Sequence, residues 1–171
     1  AKHPNETIHQ KAIGRAGQRV LYVHEHNFFT SLYRPSAVCL AEMGHPEWAD
    51  PAKITEMPIE TVPLDSVEGL PPIDILKMDL QGGELEVLET GQSKLADAEA
   101  IITEVRFFRF YENEPMFADQ DAMLNRMGFR LHKFIEWNNI KVGFKDRFRT
   151  SLALQSQVVD GDAAYLPAGD L

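Results

Sequence analysis

Apolar and polar positions fall in legible blocks along the chain. Ile73-Asp74-Ile75-Leu76-Lys77-Met78 is nearly continuously apolar apart from two charges, the pattern of a strand covered on both faces. Asp79 ends it and Gly82-Gly83 supplies a tight turn. Glu84-Leu85-Glu86-Val87-Leu88-Glu89 then reads as a helix with acids in its first turn, where the helix dipole favours them, and Gly91 is a suitable stop. Ala100-Ile101-Ile102-Thr103-Glu104-Val105 is a second strand of the same look. Strand, helix and strand at this spacing predict a βαβ unit, whose crossover is right-handed as a rule. Pro115, a good first-turn residue, precedes a helical stripe of Phe117, Met123, Leu124 and Met127 ended by Gly128. Phe129 to Phe134 alternates with period two, as a half-buried strand does. Ser151-Leu152-Ala153-Leu154 and Ala163-Ala164-Tyr165-Leu166 are further strand candidates, the latter the final one.

The first third is also β-rich. Val20-Leu21-Tyr22-Val23 follows the turn-like Gly14-Arg15-Ala16-Gly17, which predicts a hairpin around residues 8–24. Pro35, Gly44, Pro46, Pro51 and Pro58 predict irregular structure from residue 34 to 58, with one short helix. Glu60-Thr61-Val62-Pro63-Leu64 predicts an edge strand, because Pro63 is barred from a central ladder. No repeat, low-complexity tract or flexible linker interrupts the chain, so residues 1–171 read as one α/β domain with an antiparallel ending.

Composition agrees with a single core: 171 residues, 44% of them hydrophobic, leave little room for disorder. The formal net charge of −9 argues against non-specific nucleic-acid binding, which needs a basic face. Asp74 to Glu104 holds most of the acidic excess, while Lys141 to Arg149 is basic. Two solvated faces account for this, with a basic strip facing an anionic lipid or sugar phosphate as the alternative. Cys39 is the only cysteine, which excludes an internal disulfide and a zinc ribbon, and its apolar neighbours predict a buried, inert thiol. No apolar run approaches the roughly 20 residues of a membrane span, and no signal peptide opens the sequence, so a soluble cytoplasmic protein is expected.

Candidate chemistry centres on Asp79. Ligands of open α/β sheets sit beyond the carboxyl ends of parallel strands, and Asp79 lies at such an end beside a glycine turn. Glu104 lies near the end of the neighbouring strand, so the two carboxylates are expected to share a crevice, with Tyr111 in reach of it. A capping role for Asp79 and a paired charge for Glu104 are the bland readings. His24-Glu25-His26 puts two imidazoles on one face of a strand; a metal-dependent hydrolase using His24, His26 and Asp79 is a minor alternative, since two histidines do not make a zinc site. Arg106 and Arg109 interleave with Phe107, Phe108, Phe110 and Tyr111, where core packing explains the aromatics better than base stacking. Gly82-Gly83 lacks the further glycines of a dinucleotide fingerprint, and neither a nucleophile elbow nor a phosphate loop occurs.

The block from Ile73 to Leu88, with its Lys77-x-Asp79-x-Gln81-Gly82 turn and Glu84-x-x-Val87-Leu88 helix, resembles the signature of the FkbM-like methyltransferases. Flanking segments fit in order: Lys11-Ala12-Ile13-Gly14, Thr30-Ser31-Leu32-Tyr33, Leu64-Asp65-Ser66, Thr103-Glu104-Val105, Gly128-Phe129 and Gly161-Asp162-Ala163. The resemblance implies a Rossmann-like class I methyltransferase sheet, mostly parallel with an antiparallel final strand. It implies S-adenosylmethionine as methyl donor and a small-molecule acceptor such as a sugar or polyketide, methylated on oxygen. It also implies that Ala12 and Ile13 approach the adenine, that Gln81 lines the same crevice, and that Asp79, then Glu104, acts as general base or cofactor ligand. Members of the family carry, ahead of this block, a strand with a glycine-rich Asp-x-Gly-Ala-Asn-type loop and a second strand ending in an acid. These 171 residues resemble the last two-thirds of such an enzyme, so an incomplete sheet is expected. A non-catalytic remnant that binds a partner through an exposed sheet edge, either the missing half or a second copy as a homo-oligomer, is the alternative.

Overall fold

The computed structural model describes residues 5–141 and 156–169. In chain order the elements are β1 (Ala12–Ile13), β2 (Gly17–His24), α1 (Ala37–Met43), β3 (Ile54–Val62), β4 (Ile75–Met78), α2 (Glu84–Thr90), β5 (Ala100–Arg106), α3 (Phe117–Arg126), β6 (Phe129–Lys141) and β7 (Ser156–Pro167). Among the described residues they build two sheets, β1-β3-β2 and β4-β5-β7-β6.

The βαβ unit forms as its pattern predicts, with β4 and β5 parallel and α2 between them in sequence. The antiparallel ending is present too, because β7 inserts between β5 and β6 and runs against both. The expectation of a mostly parallel sheet is corrected. Only the β4–β5 and β1–β3 pairings are parallel, while β2–β3, β5–β7 and β6–β7 are antiparallel, so the architecture is mixed α/β. The hydrophobic pattern shows which residues pair with a core, but the direction of a strand depends on how the chain returns to the sheet.

Four local readings change. Residues 8–24 do not form a hairpin: the Gly14–Gly17 segment carries the chain across β3, so β1 pairs with one side of β3 and β2 with the other. Pro58 lies inside β3, the middle strand, opposite Val20. It is tolerated because β1 covers only Thr61 and Val62 on the far side. β4 is an edge strand, with Ile75 61% exposed, although its apolar run reads as a strand covered on both faces. Cys39 is a free, partly exposed thiol in α1. The 151–154 strand candidate and the basic side chains of the 141–149 stretch lie outside the described residues.

Helix ends follow local chemistry. Ser36 caps α1 by accepting a hydrogen bond from Cys39 N at 3.3 Å, and Gly44 closes it in the left-handed region at φ 92°. Asp119 accepts from Met116 N at 2.8 Å to open α3, one residue beyond Pro115. Gly91 ends α2 for a different reason from the one the pattern suggests. Its φ of −121° suits any residue, but a Cβ there would stand 2.5 Å from Leu64 Cδ2.

The principal core joins the four-stranded sheet to α2 and α3 through Met78, Leu88, Ile101, Val105, Leu124 and Tyr165. A second cluster packs Phe29 with Leu40 and Met43 of α1 against Phe110 and Tyr111. No helix of the described residues is long and apolar enough to cross a membrane.

Candidate functional site

Where β4 ends, the chain makes a strained turn. Gln81 has φ 53° and Gly82 has φ 100°, two consecutive left-handed residues. That conformation costs a side-chain-bearing residue about 1 kcal/mol, and neighbouring groups hold it in place. Ser31 Oγ donates to the Gln81 carbonyl at 2.6 Å. Glu84 folds back from the start of α2 to accept from Leu80 N at 2.6 Å and Gly82 N at 3.0 Å. Burial raises the Glu84 pKa above the ordinary carboxylate value, against the pull of these amides. Glu84 and Glu86 are therefore buried anchors, which corrects the reading of the Asp74 to Glu104 acids as a solvated face at these two positions.

The turn presents the Gln81 carboxamide to a polar network. Its Nε2 donates to Asp79 Oδ1 at 2.9 Å and to Glu104 Oε2 at 3.0 Å. Its Oε1 accepts from Arg106 Nη2 at 2.7 Å and from Tyr111 Oη at 3.0 Å. Arg106, 2% exposed, spends the rest of its fork on Glu104 at 3.0 Å, Glu114 at 3.1 Å and Asp160 at 2.7 Å, and its guanidinium lies over the Phe110 ring. Asn138 donates to the other Asp160 oxygen at 2.6 Å, so β5, β6 and β7 all join the network.

Burial dominates the electrostatics. It pushes the Glu104 pKa up to about 8, with Arg106 opposing the rise and Glu84, Asp79 and Asp160 adding to it. Glu114 is pushed to about 7, again by burial and against Arg106. Tyr111 is held well above the ordinary phenol range by burial. A carboxyl that titrates near neutral pH inside a cleft is suited to exchanging protons with a bound molecule.

Two clefts meet at this turn. The larger, about 620 Å³, has an apolar wall that includes Ala12, Ile13, Leu21 and Ile59, and a polar end at Asp79 and Gln81. The smaller, about 420 Å³, is lined by the aromatic Phe29, Trp48 and Phe110 and by the polar Glu104, Asn138 and Asp160. Phe28, Asp79 and Gln81 line both. Phe28 is 65% exposed at the shared mouth and stacks on His26.

The structure thus brings Ala12, Ile13, Asp79 and Gln81 to one cleft and Asp79, Gln81 and Glu104 to the next. Tyr111 is corrected: it is 1% exposed, lines neither cleft, and touches the site through its hydrogen bond to Gln81. Its neighbour Phe110, a member of the same second core cluster, is the one that lines the smaller cleft. The structure does not favour the histidine reading. His24 is buried, its Nδ1 accepts from His26 N at 3.0 Å, and no three metal-ligating side chains gather anywhere among the described residues. Arg106, Glu114, Asn138 and Asp160 escaped the sequence reading as site residues. Arg106 was visible only as a charge among aromatics, and Asp160 lies 54 residues from it in the chain.

The family model for the methyltransferase FkbM domain matches residues 1–131, which include the turn, Glu104, Arg106 and Tyr111. Asn138 and Asp160, on the far wall of the smaller cleft, lie beyond the matched span. No curated protein matches the chain, and no solved structure does. With about three-quarters of its length matched, its strand-turn-helix signature formed and two clefts meeting at that turn, the chain belongs to the FkbM methyltransferase family.

Proposed function

We propose that this protein transfers a methyl group from S-adenosylmethionine to a hydroxyl oxygen of a small molecule, a sugar, polyketide or similar compound. The larger cleft takes the cofactor and the smaller the acceptor. The observation that carries this reading is the shared boundary of the two clefts at Phe28, Asp79 and Gln81, in a chain of a methyltransferase family. We read the β4-β5-β7-β6 order, with β7 reversed, as part of a Rossmann-like class I methyltransferase sheet.

The residues present fit the cofactor. A volume of about 620 Å³ is within the usual range for small-molecule sites, and apolar walls with a few polar groups at one end match an adenosyl group joined to an amino acid. In this reading Ala12 and Ile13 lie against the base while Asp79 and Gln81 face the charged end. When bound, S-adenosylmethionine supplies a methyl already activated by a sulfonium, so the protein's task is chiefly alignment. Phe29, Trp48 and Phe110 give apolar aromatic lining for an acceptor ring, and Asn138 and Asp160 offer hydrogen-bonding groups. Glu104 takes the acceptor's hydroxyl proton. Its raised pKa makes it a stronger base than an ordinary carboxylate, and Arg106 at 3.0 Å keeps it in place.

Calorimetric titration with S-adenosylhomocysteine, followed by transfer of labelled methyl to a panel of hydroxylated compounds, tests the reading. The expected result is micromolar binding, with kcat/KM rising as pH increases through about 8 while Glu104 deprotonates. Glu104→Gln is expected to lower kcat roughly 100-fold or more with binding retained, and Asp79→Asn to weaken binding as well. A folded chain that does not bind S-adenosylhomocysteine at millimolar concentration overturns it.

A further inference from the structure

We propose that Gln81 is a positioning residue that couples the two clefts: its carboxamide holds Asp79 and Glu104 in one fixed relation and orients Glu104 toward the acceptor. The inference rests on the methyl-transfer reading for its purpose, but its physical content stands on the geometry alone. Gln81 is the one side chain among the described residues whose hydrogen bonds reach Asp79, Glu104, Arg106 and Tyr111 together. Those four bonds also fix which end of the amide points where. Two donors at 2.7 and 3.0 Å face Oε1, and two carboxylates at 2.9 and 3.0 Å face Nε2, so a flipped amide would meet like partners at both ends. The backbone below it is equally constrained, by Ser31 on its carbonyl and Glu84 on the flanking amides.

This arrangement separates Gln81 from an ordinary wall residue. Its NH2 supplies each carboxylate with a donor without adding charge, so Asp79, which lines both clefts, and Glu104, which lines only the smaller, are held by one group. The other charged groups around Glu104 come from every neighbouring element. They are Arg106 on its own strand, Asp79 after β4, Glu84 at the start of α2 and Asp160 on β7. Its cross-strand partner Asp162 is occupied by Lys77 at 2.8 Å, and Glu114 by Arg106. Burial and three of the four charged groups around Glu104 oppose its ionised form, Arg106 favours it, and the Gln81 amide adds a neutral donor at 3.0 Å. Removing a hydrogen bond to a carboxylate raises its pKa, and replacing the donor by a further carboxyl raises it more.

The test follows the Glu104 carboxyl in the full chain by carbon NMR during pH titration, assigned by the signal lost in Glu104→Gln. Gln81→Met keeps length and removes all four bonds; Gln81→Glu keeps the acceptor end and replaces the donor end. Glu104 is expected to titrate about one pH unit higher in Gln81→Met and higher again in Gln81→Glu. Because Gln81 also lines the larger cleft, S-adenosylhomocysteine affinity in Gln81→Met is expected to fall too, but by a smaller factor than kcat, with kcat affected more than KM. Should Gln81→Met fail to fold, Tyr111→Phe removes only the donor to Oε1, and a smaller upward shift is expected. An unmoved Glu104 titration in the folded variants overturns the proposal, and a large loss of binding beside it returns Gln81 to the role of a cofactor contact. Failure of methyl transfer in the wild type leaves the Glu104 measurement intact, so the two readings fail separately.

Discussion

The two sheets are held by different forces. β5 of the four-stranded sheet alternates between fully and partly buried positions, and with α2 and α3 it encloses the principal core. In the three-stranded sheet, β2 and β3 are mostly half-buried or exposed along their length. What ties that sheet to the rest is largely polar. Glu86 of α2 accepts from Arg15 N at 3.1 Å, from Arg19 at 2.9 Å and from Tyr33 Oη at 2.9 Å, and Arg15 reaches Glu89 at 2.6 Å. One region is stabilised by burial, which tolerates chemical variation but not lost volume. The other is positioned by directional bonds, which tolerate exposure but not lost partners. The larger cleft draws on both, with walls from β1, β2 and β3 and a polar end on the β4 turn.

This contrast can be broken most sharply in the core. Leu124→Ala or Ile101→Ala, at sites with no exposure, is expected to cost about 2–5 kcal/mol by denaturant titration. Val20→Ala in β2, only partly buried, should cost well under half as much. Equal losses would show that the three-stranded sheet carries more of the core than its burial indicates.

The anchor gives the next effect. Glu86→Gln should cost about 1–3 kcal/mol, since hydrogen bonds to a charged group are lost while Arg19 and Tyr33 stay in place. It should also uncover a pH contrast. Hydrogen bonds from Arg19, Arg15 and Tyr33 lower the Glu86 pKa in spite of burial, so its contribution is present above the unfolded carboxylate value and is lost as pH falls. Glu104 has the opposite sign. Its folded pKa of about 8 lies above the reference 4.5, so the folded state binds the extra proton and stability declines as pH rises between those values. Thermal melts from pH 5 to 8 should therefore fall less steeply in Glu104→Gln than in the wild type, while Glu86→Gln should flatten the acid side. Parallel pH curves for the wild type and Glu104→Gln would show that Glu104 is not displaced from its ordinary range.

The smallest expected change is at the sheet edge. Ile75→Thr, at an exposed position of β4, should alter stability by no more than about 0.5 kcal/mol. A larger loss, together with a change in sedimentation, would show that the edge is covered in solution.

Much of the four-stranded region was legible because its signals are local. Period and length mark β4, α2, β5 and α3, and Asp79 stands out by its place at a strand end. Gln81 was visible as a lining residue through its place in the signature turn. Its role as a hub was not, since that needs Tyr111, Arg106 and Glu104 brought round it from other elements. Tyr111 was misplaced because residue spacing does not report which side of a bend faces the core. Asn138 and Asp160 were invisible for a related reason: isolated polar residues in a strand carry no sign of the partner they will meet across the sheet.

The amino-acid order by itself determined where most helix ends fall, Gly91 excepted, which strands have a core face, and that a carboxylate would stand beside a glycine turn. Those outcomes depend on interactions within a few residues: caps, periodicity and backbone sterics. Only the tertiary structure decided that β1 and β2 lie on opposite sides of β3, that β4 is an edge, and that first-turn acids are buried anchors. It alone joined two clefts across one carboxamide. Each of these depends on contacts between residues far apart in sequence, whose energies are set by packing, desolvation and geometry that no local pattern records.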